Sequence, residues 1–235
     1  MALDTDDPPG PDAFGSAAPT SIASLLLLAD GRFPDGSHAH SFGMEAAVAL
    51  GRVHDPASLH RYVEARLWTT VRTDAGAAVL AARGDHPLDV LDAALVVRQP
   101  SRATRDASRT LGRSLVRTAA RLWPGSEPRL LDGRPPLQPV AFGAVAALAG
   151  CGPADAALCT SHAAAAGLSS AALRLLGLDP FEVTAVLADL RDPVAAVAAS
   201  AADLVDVADL PSTSTPLAEL DAEYQRTIEP RLFGS

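Results

Sequence analysis

Five prolines that sit one residue behind a capping residue do most to confine this chain. The pairs are Asp55-Pro56, Gly152-Pro153, Asp179-Pro180, Asp192-Pro193 and Thr215-Pro216. Proline lacks an N–H and has a fixed φ, so it suits the first helical position, where the N–H has no intrahelical partner anyway. Glu182, three residues after Asp179, completes the pattern of a capping box. Together with the polar and proline positions elsewhere, helix starts are predicted near 21, 41, 56, 87, 102, 138, 153, 180, 193 and 216. No long run alternates apolar and polar residues as a half-buried strand would. Apolar residues make up 48% of the chain, much of it alanine, which loses no side-chain entropy in a helix and lets helices pack closely. The expected fold class is all-α, a single-domain bundle of roughly ten short-to-medium helices over 20–235. Residues 1–19, with four aspartates and four prolines, are expected to form a disordered acidic tail.

Composition removes several kinds of chemistry. Every basic side chain is arginine; the chain has neither lysine nor asparagine. A P-loop of the form G-x-x-x-x-G-K-[ST] therefore cannot occur, and Schiff-base catalysis lacks its amine. A formal net charge of −9 argues against general binding to nucleic acid or anionic membranes. No G-x-S-x-G, H-E-x-x-H or G-x-G-x-x-G motif is present. Cys151 and Cys159 read as reduced, buried side chains on one helical stretch, about 12 Å apart by axial rise. With no basic and apolar leader, and no apolar run long enough to span a bilayer, the expected location is cytoplasmic.

Four places could carry function. His38 and His40 form an H-x-H pair with Glu45 close by, in a segment where Pro34-Asp35-Gly36 makes a tight turn and a new helix opens at Ser41. Gly36 is expected at positive φ, and Gly43 one turn into the next helix, where a missing side chain admits another backbone. Histidine with carboxylate suits nickel or zinc, but a closed site needs about four ligands and no second histidine cluster supplies them, which favours a structural role. Arg98, Arg102, Arg105, Arg109, Arg113, Arg117 and Arg121 recur every three or four residues opposite Leu111, Leu115, Ala119 and Leu122. They read either as a solvated face or as a docking strip for an acidic partner. Leu217, Leu220, Tyr224 and Ile228 form a stripe expected to pack inward. The terminal Arg231, Leu232 and Phe233 read either as a loose end or as a binding anchor.

Four segments, in order, resemble the UreF family of urease accessory proteins. Residues 27–45 follow the pattern L-x-D-S-x-x-P-x-G-x-x-x-H-S-x-G-x-E. Arg105-x-x-Ser108-x-x-x-Gly112, Pro139-Val140-Ala141-Phe142-Gly143 and Arg231-Leu232-Phe233-x-Ser235 are similar to later family segments. The likeness is greatest to a shorter, divergent actinobacterial type, with Gly31, Asp35, Gln138, Gly177 to Pro180 and Tyr224 departing from commoner residues. The resemblance implies an all-helical homodimer without catalytic residues or resident cofactor. It would bind a UreD/UreH-type accessory protein, recruit or regulate a UreG-type GTPase and dock on apo-urease, with nickel handled in transit. Partner-binding residues implied are Gly36, His38, His40, Ser41, Gly43, Glu45, Arg105, Ser108, Gly112, Arg231, Leu232 and Phe233. The competing expectation is a nickel- or zinc-binding storage protein, or a metallohydrolase, using His38, His40 and Glu45.

Overall fold

Helix follows helix from Pro19 onward, and among the described residues there is no strand. The computed structural model describes residues 19–125, 134–229 and 232–234. The expected N-terminal tail, up to residue 18, lies outside them, as does Arg231. The helices are α1 (Pro19–Ala29), α2 (Met44–Ala49), α3 (Pro56–Arg66), α4 (Arg72–Arg83), α5 (Leu88–Val96), α6 (Arg102–Leu122), α7 (Gln138–Leu148), α8 (Pro153–Leu176), α9 (Pro180–Asp189), α10 (Arg191–Ala202) and α11 (Pro216–Gln225). A π-turn at Leu67–Val71 joins α3 and α4 into one rod. The all-α expectation holds.

The proline signals work through the predicted chemistry at most starts. Asp55 accepts from Ser58 N–H at 2.7 Å while Ser58 Oγ accepts from Asp55 N–H at 3.0 Å, a reciprocal capping box ahead of Pro56. Asp155 reaches back to Gly152 N–H at 2.9 Å in the same way. Asp179 caps α9 by accepting from Phe181 N–H at 2.9 Å, not through the predicted box with Glu182. The Asp192-Pro193 start is displaced. Leu190 stays in the helical region, so the chain turns from α9 into α10 at Arg191 without a polar cap. Pro193 then falls third in the helix, still within the turn whose N–H groups have no partner. The second helix begins at Met44, not at Ser41.

The longest helix, α8, is the centre of the bundle and packs against α1, α2, α3, α4, α7, α9 and α10. By length and composition alone it could cross a membrane, yet 56% of that window is buried inside the bundle. Small residues let the central helices close up. A Cβ on Gly143 of α7 would lie 2.1 Å from the Ala78 carbonyl oxygen of α4, and one on Gly112 of α6 would lie 2.0 Å from that of Pro136. Neither position can accept a side chain without moving backbone.

Two predicted faces need correction. Leu111, Leu115 and Ala119 are buried as expected, but Leu122 is 49% exposed because α6 ends there. Arg98 precedes the helix and is tied to Leu210 and Ala94 carbonyls, so it does not belong to the arginine strip. On α11 the stripe is inverted. Leu217, Leu220 and Tyr224 are exposed, while Ala218, Asp221 and Gln225 point inward.

Candidate functional site

The conspicuous feature of the chain from Pro34 to Glu45 is a rigid corner. Gly36 takes φ +85, as expected, and opens a single 3-10 turn, Ser37–Ala39. Asp35 accepts from Ser37 N–H at 2.8 Å, and Thr118 Oγ of α6 donates to the Pro34 carbonyl at 2.8 Å. The next turn runs through Phe42 and Gly43, at φ +55 and +86. Gly43 is the N-cap of α2 rather than a residue inside it. Its requirement is the left-handed φ; a Cβ there would only touch Ala218 and Asp221 at ordinary distance.

Beneath the corner, residues far apart in sequence interlock. The Ser41 hydroxyl, fully buried, donates to Gln225 Oε1 at 2.8 Å, and Gln225 Nε2 donates to Glu45 Oε2 at 3.0 Å. Glu45 then accepts the main chain of the C-terminal end, from Leu232 N–H at 2.6 Å and Phe233 N–H at 3.3 Å. Gly234 N–H donates to the Ala39 carbonyl at 2.9 Å. Phe233 is buried in this chain's own core, with the Arg174 guanidinium 4.3 Å above its ring. Arg174 also donates to the His38 carbonyl at 3.1 Å. Leu232, by contrast, is 63% exposed. The terminal end is therefore neither loose nor wholly offered outward: Phe233 anchors it at home and Leu232 projects.

The histidines part company. His38 lies exposed on the 3-10 turn, whereas His40 is half-buried, its ring 6.3 Å from that of Phe42. Burial lowers the His40 pKa from its ordinary value; Asp35 works against this and His38 adds to it. Glu45 has both oxygens committed to the tail and to Gln225. Among the described residues no group of three His, Cys, Asp or Glu could hold a metal ion. The competing His38, His40 and Glu45 metal arrangement is not assembled, because the carboxylate that would complete it accepts the Leu232 and Phe233 amides instead. The cysteines are free and buried on opposite sides of the α8 start, each sulfur facing a carbonyl of α1. Burial pushes the Cys159 thiol up to about 12.

Of three residues expected at a partner surface, two are buried and the third, Arg105, is half-buried and bonded to its own chain. Ser108 accepts from Gln138 N–H at 2.9 Å, fixing the start of α7; Gly112 lies under Pro136; and Arg105 donates to the Gln99 and Pro100 carbonyls. Of the arginine strip, Arg109 also turns in, to Asp92, while Arg102, Arg113, Arg117 and Arg121 face outward. Sequence reasoning missed Gln225, which bonds the corner from α11, and the two acids by which α11 holds the start of α6. Glu219 accepts from Ser101 N–H at 2.9 Å, and Glu223 from Ala103 N–H at 2.8 Å and Ser101 Oγ at 2.7 Å. Those bonds hold the Glu223 carboxyl below its ordinary range and set two acids on the N-terminus of α6. The sequence carried no signal for them, since the apolar stripe of α11 pointed to the opposite face packing inward.

Fold and corner together define an all-α protein that binds its own C-terminus against a glycine-bent turn. Comparison with known proteins narrows the class. The UreF family model matches residues 53–191. Urease accessory protein UreF of Mycobacterium marinum (strain ATCC BAA-535 / M) is 39% identical over 219 residues, covering 92% of this chain and 100% of the relative. Its counterpart in Mycobacterium sp. (strain JLS) is 43% identical over 180 residues, 75% of this chain and 85% of the relative. The chain belongs to the UreF family.

Proposed function

We propose that this chain serves urease maturation as a binding adaptor. It joins a UreD/UreH-type scaffold, recruits or regulates a UreG-type GTPase, and brings both to apo-urease so that nickel is installed. It works in the cytoplasm as a homodimer, holds no resident cofactor, and handles nickel only in transit. The observation that carries this reading is the family match across 53–191, joined by likeness to the full length of a relative named urease accessory protein UreF. Two features support an adaptor. Leu232 projects beside a corner whose backbone is fixed by bonds from four separate segments. Leu217, Leu220 and Tyr224 form an outward apolar face on α11.

The test is urease purified at limiting nickel from cells with and without this chain. Inactive, nickel-poor urease that recovers on re-expression is the expected result; normal nickel loading without the chain overturns the reading. For the tail, Leu232→Glu leaves the Phe233 anchor in place. It is expected to abolish co-purification with the scaffold at unchanged helix content, and undiminished co-purification removes the tail from that interface.

A further inference from the structure

Beside the corner lies a partly open cavity of about 90 Å³, lined from α3, α4, α6, α7, α11 and the Phe42-Gly43 turn. Its wall includes the apolar Phe42 and Leu111 and the polar Arg66, Asp74, Gln99 and Glu219. The polar lining is incompletely paired. Gln99 is 7% exposed and donates its Nε2 to Asp74 Oδ1 at 3.1 Å, which fixes the amide orientation and aims Oε1 elsewhere. That oxygen has no hydrogen-bond partner. Buried acceptors are nearly always paired, so one left open at a cavity wall marks a place for a donor. Glu219 spends one oxygen on Ser101 N–H, and Arg66 spends Nε on Thr70 and one terminal nitrogen on the Phe42 carbonyl. One carboxylate oxygen and one guanidinium nitrogen thus remain without a described partner in the same lining.

We propose that this cavity binds a small neutral molecule bearing a primary amide or urea group, its N–H donors meeting Gln99 Oε1 and the carboxyl groups of Asp74 and Glu219 and its carbonyl accepting from Arg66. The donor and acceptor sets fit that fork and fit other classes poorly. An anion would meet two carboxyl groups, and a cation would meet the Arg66 guanidinium. Charge balance points the same way. Burial pushes the Asp74 carboxyl up to about 7, with Gln99 and Arg66 opposing the rise and Glu219 adding to it, so Glu219 and Arg66 nearly cancel when Asp74 is protonated. The volume suits a ligand of a few heavy atoms and also admits water. The inference stands apart from the role in urease maturation.

The experiment is an NMR titration of the full chain, labelled with ¹⁵N, using acetamide and urea up to about 100 mM, within the range where millimolar binding saturates. Saturable shifts are expected for the Gln99 side-chain amide and for backbone amides at 74, 99 and 219. N,N-dimethylacetamide keeps the carbonyl but has no N–H, and is expected not to bind. Gln99→Met is expected to weaken binding about ten-fold. Glu219→Gln, which keeps the shape, serves should the first variant fail to fold and is expected to weaken binding several-fold. Absence of saturation, equal binding of dimethylacetamide, or tighter binding of methylguanidinium than of acetamide would overturn the proposal.

Discussion

Two carboxyl groups, the buried Asp92 and the half-buried Asp74, lie on successive helices, and their surroundings could hardly differ more. Asp92 is 3% exposed, and every direction around it is filled. Arg109 grips it with two nitrogens, one at 2.6 Å; Arg134 reaches it at 3.2 Å; and Leu137 N–H donates at 2.8 Å. This cluster ties α5, α6 and the start of α7 into one piece. Asp74 has a single donor, Gln99, and opens onto a cavity with an unpartnered oxygen beside it. The same residue type thus serves as a lock where its lone pairs are used up, and as part of a site where they are not. How fully each is paired, more than how deep it lies, separates the two.

That contrast can be broken or sharpened by substitution. Asp92→Ala should have the largest effect, since it strands Arg109 and the Leu137 N–H. A loss of about 3–5 kcal/mol in guanidinium chloride unfolding is expected, and a loss no larger than that of a surface substitution would mean the cluster locks nothing. Glu45→Gln comes next. Removing the charge-assisted acceptor of the Leu232 and Phe233 amides should loosen the tail by about 1.5–3 kcal/mol. Hydrogen exchange at the Phe233 and Gly234 amides reads it directly.

Asp74→Asn should act in the opposite sense from Asp92→Ala. The folded chain holds the Asp74 proton up to about pH 7, whereas the unfolded chain releases it near the ordinary value of 3.8. The folded state therefore binds more protons between those values, and the stability this position contributes is present at low pH and falls as pH rises through 7. Asparagine should flatten that slope and stabilise the protein at pH 8 on the order of 1–2 kcal/mol, visible in thermal unfolding across pH. A slope unchanged by the substitution would place the titrating group elsewhere. Arg117→Ala closes the series. Its side chain faces outward with no ion pair among the described residues, so a change within about 0.5 kcal/mol is expected.

The corner was legible in part. Gly36 announced its positive φ, because Pro34-Asp35-Gly36 can scarcely turn otherwise. Glu45 was singled out as well, but not its task, because the amides it accepts lie at 232 and 233. Gln225 gave no signal: a glutamine late in an exposed-looking helix says nothing of a serine 184 residues away. Arg105, Ser108 and Gly112 were recognised as a set, and in the fold α7 starts against Ser108 and Gly112 while Arg105 bonds the Gln99 and Pro100 carbonyls.

What the sequence settled by itself is whatever a few neighbouring residues can settle. The capping bonds at Asp55, Gly152 and Asp179 close within two or three residues, so the helix starts, and with them the all-α class, were written locally. The buried side of α6 followed from its apolar spacing as far as Ala119. Only the tertiary structure decided which face of α11 turned inward. Its polar side found partners in Ser41, Glu45, Arg52 and the N-terminus of α6, and burying polar groups whose bonds are largely made competes with burying leucines, although Asp221 Oδ2 is left without a partner. The same long-range pairing, absent at one oxygen of Gln99, left a cavity where a lock might have been.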